Sequence, residues 1–200
     1  MSGATDLTEL QQSKGRIVFA SLHFAAFDTL PYLLRAHGLP VTTLVGRTAS
    51  RHRLKECQYA LSPPADLPVV LSVSEMVNLR QALAGVRHLL VMMDVDRGRQ
   101  IELAWEGAVY RLATGAIRIA AASDAELIPC LTTVEPGWKF RLHFGKPVPR
   151  SYLHPVPNLE AAALHLLREL LTIVRQAPAQ SGHRLLSCIR RTENAALSLE

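Results

Sequence analysis

A histidine and an aspartate five positions apart are the residues of this sequence best placed for acid–base chemistry. His23 ends a nearly continuous apolar run that begins at Ile17, and Asp28 opens a helical pattern. Open α/β sheets bind ligands at the carboxyl ends of their parallel strands. An ionised Asp28 could hold the imidazole in one tautomer, which leaves the other ring nitrogen to take a proton from a hydroxyl. The same spacing also fits a core histidine followed by a helix-capping aspartate.

Two more aspartates, Asp94 and Asp96, follow a later apolar run, HLLVMM. Because they alternate along a strand pattern, their side chains point to opposite faces and form a poor two-carboxylate site. The spacing favours capping of a turn, or pairing with Arg97, Arg99 or Arg118.

Basic side chains concentrate between residues 14 and 55. Arg47 follows the second predicted strand, so we expect it at the same sheet edge as His23. A guanidinium group there could bind a phosphate through two hydrogen bonds. Arg51 lies one helical turn further on, whereas the remaining basic side chains of the segment fit a solvated helix face.

The composition predicts one folded domain that binds anionic partners. The chain has 200 residues, 48% of them hydrophobic and 20% charged. Its net charge of +5 favours phospholipid, nucleotide or an acidic carrier protein. The charge falls short of that of a nucleic-acid-binding protein, and 6% aromatic residues are few for base stacking.

Several classes of protein are not expected from the sequence. Three widely separated cysteines argue against a disulfide framework and predict a reducing cytoplasm. No zinc-ligand spacing or glycine-rich phosphate loop is present, so metal, ATP and NAD chemistry is not expected. The chain has neither a signal-peptide pattern nor an apolar run long enough to span a membrane. These features predict a cytoplasmic protein.

The elements that position these residues alternate at first between strands and helices and then form hairpins. Strands are predicted over 15–23, 39–46, 67–73 and 88–96. Helices are predicted over 28–38, 47–61, 72–86, 114–125, 158–176 and 181–191. Two hairpins turn at Glu106-Gly107 and at Glu135-Pro136-Gly137. This order predicts a single α/β domain over 14–192, built on one mixed sheet flanked by helices, after a flexible arm (1–13) and before a tail (193–200).

The ordered series of segments resembles the His-x4-Asp/Glu acyltransferases of glycerolipid and lipid A biosynthesis. SLHFAAFD is similar to their catalytic block, and PVTTLVGR to their strand that ends in an arginine. LVMMDVDRGR resembles their acid-x-acid strand end, ATGAIRIA their Thr-Gly helix, and LLSCIRR their C-terminal motif. The family commonly has Trp-Glu where this chain has Phe27-Asp28, and its amino-terminal membrane helix has no counterpart here.

The resemblance implies an acyltransferase-like fold and transfer of a fatty acyl group from a thioester to a hydroxyl of a lipid or sugar-lipid. His23 would be the general base and Asp28 its orienting acid. A backbone N–H near Gly46 or Gly115 would stabilise the oxyanion. The residues expected to border the substrate are Arg47, Arg51, Asp94, Gly115 and Arg118.

The implied partners are acyl-coenzyme A or acyl carrier protein as donor, with no metal or organic cofactor, and an anionic lipid or membrane surface, such as the inner face of the cell membrane. With no Ser or Cys elbow in the sequence, direct attack on the thioester is expected. The departures from the family pattern leave a second hypothesis open: a non-catalytic binding or assembly protein that retains the fold.

Overall fold

The structure, a computed structural model, describes residues 7–13, 15–45, 69–72, 85–96 and 98–191. The strands in these residues are β1 (Ile17–Ser21), β2 (Thr42–Val45), β3 (Val69–Ser72), β4 (His88–Met92), β5 (Gln100–Trp105), β6 (Ala108–Ala113), β7 (Glu126–Glu135), β8 (Lys139–Phe144) and β9 (Ile189–Arg191). The α-helices are α1 (Leu7–Gln12), α2 (Leu30–Ala36), α3 (Gly115–Ser123), α4 (Leu159–Val174) and α5 (His183–Ser187).

A six-stranded mixed sheet in the order β3-β2-β4-β1-β7-β8 forms the centre of the molecule. The first five strands are parallel, and β8 returns antiparallel to β7. All five residues of β1 are buried, as the continuous apolar run predicts for a strand with parallel neighbours on both sides. A mixed α/β sheet flanked by helices in a single domain is therefore confirmed.

Side chains of β1 alternate between two cores, one on each face of the sheet. Val18 and Ala20 pack in the core that contains the buried faces of α3 and α4. Ile17 and Phe19 pack in the opposite core, with α1, α2 and the inner end of β8. Helices therefore cover both faces of the central strands, and the sheet is accessible at the ends of these strands.

The prediction of one sheet is wrong, because β5 and β6 pair with β9 in a separate three-stranded antiparallel sheet. The hairpin turns at Glu106-Gly107, where both residues have the positive φ that a two-residue type I′ loop requires. The far edge of β6 is covered by β9 from the C-terminal segment. That strand is three residues long and carries two arginines, so its pattern is too short and too polar to be recognised.

Two further boundaries differ from expectation. Residues 7–12 fall within the predicted flexible arm but form α1, because Leu10 is buried in the core beside α2. The cap of α4 is Asn158, whose side chain accepts a hydrogen bond from the N–H of Ala161. The predicted helix over 47–61, residues 73–84 of the predicted helix over 72–86 and the tail over 193–200 lie outside the described residues, and Ser72 is the last residue of β3.

Candidate active site

Strand register places His23 beside Asp94 at the carboxyl edge of the central sheet. In the β1–β4 ladder Ser21 pairs with Met92, and the N–H of Met93 donates to the carbonyl of Ser21 at 2.8 Å. His23 and Asp94 each come two residues after these paired positions. The two side chains therefore meet where two neighbouring parallel strands end, which is the edge where α/β sheets bind ligands.

Asp94 binds His23 through both carboxylate oxygens. Its Oδ1 lies 2.8 Å from Nδ1 of the imidazole, and its Oδ2 accepts the backbone N–H of His23 at 2.8 Å. The Asp94 side chain is fully buried, whereas the His23 side chain is 14% exposed. An ionised carboxylate only accepts hydrogen bonds, so a neutral imidazole in this position carries its proton on Nδ1 and presents the lone pair of Nε2. No hydrogen bond to Nε2 is found within the described part of the chain.

The backbone around His23 fixes the direction of its side chain. The N–H of Phe24 donates to the carbonyl of Leu22 at 2.8 Å, which makes His23 the central residue of a γ-turn. Phe24 is fully buried, so it anchors the turn to the core. The ring of Phe27 meets the imidazole edge-on, with 4.5 Å between centroids. The imidazole is therefore held by the turn, by a carboxylate and by an aromatic ring.

Asp28, the expected orienting acid, follows His23 on the chain, but the carboxylate found on Nδ1 of the imidazole belongs to another residue. Asp28 lies half-buried in a single 3-10 turn, Phe27–Thr29, that leads into α2. The carboxylate on Nδ1 of His23 is that of Asp94. A catalytic role for Asp28 stays a prediction. Among the described residues no ion pair joins Asp94 to Arg99 or Arg118, and the Asp94 carboxylate instead binds His23 at the end of β1.

The start of α3 lies against the strand end that carries Asp94. The N–H of Ala113 donates to the carbonyl of Met93 at 2.8 Å, which ties the end of β6 to the end of β4. Thr114 is buried, and its Oγ1 donates to the carbonyl of Arg99 at 3.0 Å. The Thr114 side chain therefore does not cap the backbone of α3, because its hydroxyl holds the β4–β5 connection.

Gly115 and Arg118, both predicted to border the substrate, occupy the first turn of α3. A Cβ placed on Gly115 would have no neighbour within 4 Å, so space is open beside its backbone. The Nε of Arg118 donates to Oγ1 of Thr114 at 3.2 Å, one turn earlier. The first turn of α3 therefore combines open space with a positive charge near the Asp94 strand end.

A segment near the C-terminus closes one side of the site, and no pattern in the sequence predicts this contact. The carbonyl of Gln180 accepts the N–H of Ala25 at 2.9 Å, and Ser181 forms a bridge with Phe24. A Cβ on Gly182 would come within 3.0 Å of the His23 carbonyl oxygen, so only glycine fits there without displacement. Ala25 has a φ of 48°, a rare conformation for a residue with a side chain, which marks this loop as held by its neighbours.

Cys188 lies at the end of the same segment but is not an activated nucleophile. Burial raises the pKa of its thiol, and the negative charge of Asp94 adds to that rise. A thiol with a raised pKa is less often present as the reactive thiolate. Arg47, Arg51 and the backbone of Gly46 lie outside the described residues, just after the end of β2.

The residues that the structure describes hold no cluster of three or more metal-ligating side chains, and none of their helices is both long and apolar enough to cross a bilayer. Fold and site together define an α/β protein with a carboxylate–histidine pair at the carboxyl edge of its parallel strands. Comparison of the chain with protein-family models and with curated proteins finds no match.

Proposed function

We propose that this protein is an O-acyltransferase that moves a fatty acyl group from a thioester to a hydroxyl of a lipid or sugar-lipid acceptor. The observation that carries the proposal is the 2.8 Å contact between Nδ1 of His23 and the buried Asp94 carboxylate, which leaves Nε2 to act as a base. The ordered series of acyltransferase-like segments around this pair supports the choice of reaction. Asp94 takes the orienting role, and Asp28 is a second acid, five positions after His23 on the chain.

In the proposed reaction, Nε2 of His23 takes the proton of the acceptor hydroxyl while the hydroxyl oxygen attacks the thioester carbonyl carbon. The new C–O bond forms, and the carbonyl electrons move onto the oxygen. When the carbonyl re-forms, the C–S bond breaks and the leaving thiolate takes the proton from Nε2. The products are an ester and a free thiol, and the Asp94 carboxylate stabilises the imidazolium between the two steps.

The residues around the pair suit the charges of this reaction. The backbone N–H of Gly115 or of Gly46 would stabilise the oxyanion. Arg47 and Arg51 would bind a phosphate of the acceptor, and Arg118 adds positive charge beside α3. The donor would be acyl-coenzyme A or acyl carrier protein, both anionic, which the net charge of +5 favours. An acyltransferase-like fold is part of the proposal.

Thiol release from an acyl thioester, measured with and without hydroxyl acceptors, tests the proposal. The decisive variant is His23→Gln, because glutamine keeps a donor for the Asp94 carboxylate but cannot serve as a base. We expect a loss of about 10²- to 10⁴-fold in rate with a melting midpoint near that of wild type. His183→Gln, on the exposed first turn of α5, is the matched control and should keep full rate.

Full turnover by a folded His23→Gln variant would show that the mechanism is wrong. Unfolding of both His23→Gln and His23→Ala would assign His23 to the core. Absence of thiol release from the wild-type protein with every acceptor would favour the non-catalytic binding protein.

Substitution of Arg47 tests whether the protein binds a phosphate group of the acceptor. We expect Arg47→Ala to cost about 1.5–3 kcal/mol, or roughly 10- to 150-fold in kcat/KM, mostly through KM. Arg47→Lys should recover part of this, since an ammonium group lacks the planar fork of a guanidinium. Arg175→Ala, at the exposed end of α4, is the control. An equal loss with an acceptor that lacks phosphate would reassign Arg47 to a structural role.

A further inference from the structure

The β7–β8 hairpin extends past the central sheet on the side that carries the site. Pairing of β1 with β7 places Ala20 opposite Pro129, so β1 ends while β7 continues through Leu131–Glu135. At about 3.3 Å per residue these positions run on for roughly 16 Å beyond the end of β1. The hairpin tip, residues 135–141, therefore stands out from the same sheet edge as His23.

Large apolar side chains are exposed at this tip. Trp138 in the turn is 83% exposed, and Phe140 at the start of β8 is 39% exposed. Phe140 begins a row on one face of β8 that continues inward through Leu142 to the buried Phe144. The row thus extends an apolar surface from the core to the tip, where nothing in the described chain covers it.

The exposed apolar side chains are not scattered over the molecule. Of the four large ones among the described residues, Trp138, Phe140 and Leu186 lie at the carboxyl edge of the sheet. Leu186 is 57% exposed and belongs to the helical turn that begins at Gly182, beside His23. The fourth, Val156, lies at the opposite edge, in the loop whose neighbour His154 contacts Asp124 before β7.

Positive charge accompanies these side chains. Lys139 and Arg141 flank Phe140 on the exposed half of β8, where Arg141 also pairs with Glu135 at 2.8 Å, and Arg184 precedes Leu186 on α5. Indole rings favour the boundary between water and acyl chains, and nearby Lys and Arg bind anionic headgroups. The combination fits a shallowly inserted membrane contact.

A protein partner fits the tip less well than a bilayer does. One turn with two aromatic side chains offers far less than the roughly 800 Å² per partner that a stable protein interface buries. Pairing of β8 with the edge strand of a second copy is disfavoured by the charges of Lys139 and Arg141. A bilayer needs no complementary partner surface, and it accepts an insertion of about 5–10 Å.

We infer that the tip of the β7–β8 hairpin, together with Leu186, inserts into the headgroup region of an anionic membrane. This contact brings the edge that carries His23 and Asp94 to the bilayer surface. The inference deepens the proposed function and rests on it in one respect: the contact would give the site access to a lipid acceptor. The contact itself requires no acyl donor, so its test is independent of catalysis.

Vesicle sedimentation of the full chain without acyl donor tests the inference, with phosphatidylcholine alone and with phosphatidylcholine mixed with phosphatidylglycerol. The decisive variant is Trp138→Asn, because asparagine tolerates the positive φ of 58° at this position. We expect it to bind the mixed vesicles at least about tenfold more weakly than wild type. Lys139→Glu should bind them several-fold more weakly and lose part of the salt dependence. Val156→Asn is the matched control and should bind like wild type.

Tryptophan emission gives a second readout. Wild-type emission should shift to the blue on the mixed vesicles, and Trp138→Phe should bind but show no shift. Trp105 should not respond, because it is half-buried beneath the guanidinium of Arg168, 4.3 Å from the ring centroid.

Three results would overturn the inference. Trp138→Asn could bind as tightly as wild type, or Val156→Asn could lose as much binding. The wild-type protein could also form a dimer that Trp138→Asn dissociates, which would make the tip an interface between copies. Loss of thiol release with intact vesicle binding would instead reject only the proposed function.

Discussion

The Asp94 carboxylate holds one residue by two different groups, the backbone N–H and the ring Nδ1 of His23. The first hydrogen bond fixes which oxygen faces the backbone, so the second oxygen is left for the imidazole. This arrangement determines how the side-chain amide of an asparagine at position 94 would be oriented. In Asp94→Asn the oxygen must still accept the backbone N–H, which turns the NH₂ group toward Nδ1.

We therefore expect Asp94→Asn to fold but to hold His23 in the wrong tautomer, with the proton on Nε2. A ring protonated at Nε2 cannot accept the hydroxyl proton, so the rate of thiol release should fall by about 10²- to 10⁴-fold. Steady-state kinetics with a urea-unfolding control would measure this. Asp28→Asn is the matched comparison and should retain more activity. A larger loss from Asp28→Asn than from Asp94→Asn would return the orienting role to Asp28.

His23 could be predicted from the sequence, but its partner could not. The strand pattern and the following helix place His23 at a sheet edge by local information alone. Asp94 is 71 positions away, and the sequence does not show that β4 lies next to β1. A signal was present nonetheless, because His23 and Asp94 stand at the same offset from the ends of two apolar strands. That signal becomes informative only when the strand order is known.

At the scale of elements, β7 extends beyond the end of its neighbour β1, and a side chain replaces the missing strand partner. Beyond Pro129 the strand has no β1 partner on that side. The side-chain amide of Gln180 takes that place, since its Nε2 donates to the carbonyl of Val134 at 2.8 Å and its Oε1 accepts the N–H of Val134 at 2.9 Å. The backbone of Gln180 also binds the loop after His23. One residue thus joins the hairpin to the candidate site.

We expect Gln180→Ala to lower the free energy of unfolding by about 1–3 kcal/mol, because it leaves two backbone groups of Val134 without their partner. The amide proton of Val134 should also exchange faster, since the outer hairpin loses its attachment. Urea unfolding and hydrogen exchange would measure both effects. Gln176→Ala, an exposed glutamine after α4, is the control. Unchanged exchange at Val134 in Gln180→Ala would show that the hairpin is stable by itself.

Elements with strong local signals were predictable, and those that depend on distant contacts were not. The turn at Glu106-Gly107 and the apolar stripe of α4 follow from residue types and period alone. By contrast, α1 depends on burial of Leu10 in the core beside α2, and β9 depends on the free edge of β6. Short elements of this kind gain their stability from tertiary packing rather than from propensity.

For the whole molecule, protonation is coupled to folding through buried groups that are neutral in the native state. Burial lowers the pKa of His88 below 6.5, with a contribution from the positive charge of Arg87, and burial also lowers the pKa of His143. Burial raises the pKa of the Cys130 thiol well above 9.0. The unfolded chain therefore binds more protons than the native chain below about pH 6.5, and it loses the thiol proton first above about pH 9.

It follows that the free energy of unfolding should be greatest between about pH 7 and pH 9 and should decrease on both sides. On the acidic side, stability is lost as the pH falls through the lowered pKa of His88 and His143. Urea unfolding from about pH 5 to pH 10 would measure both limbs. His88→Leu should flatten only the acidic limb and Cys130→Ala only the alkaline limb, so each variant is the control for the other. An acidic limb as steep in His88→Leu as in wild type would contradict the assignment of His88.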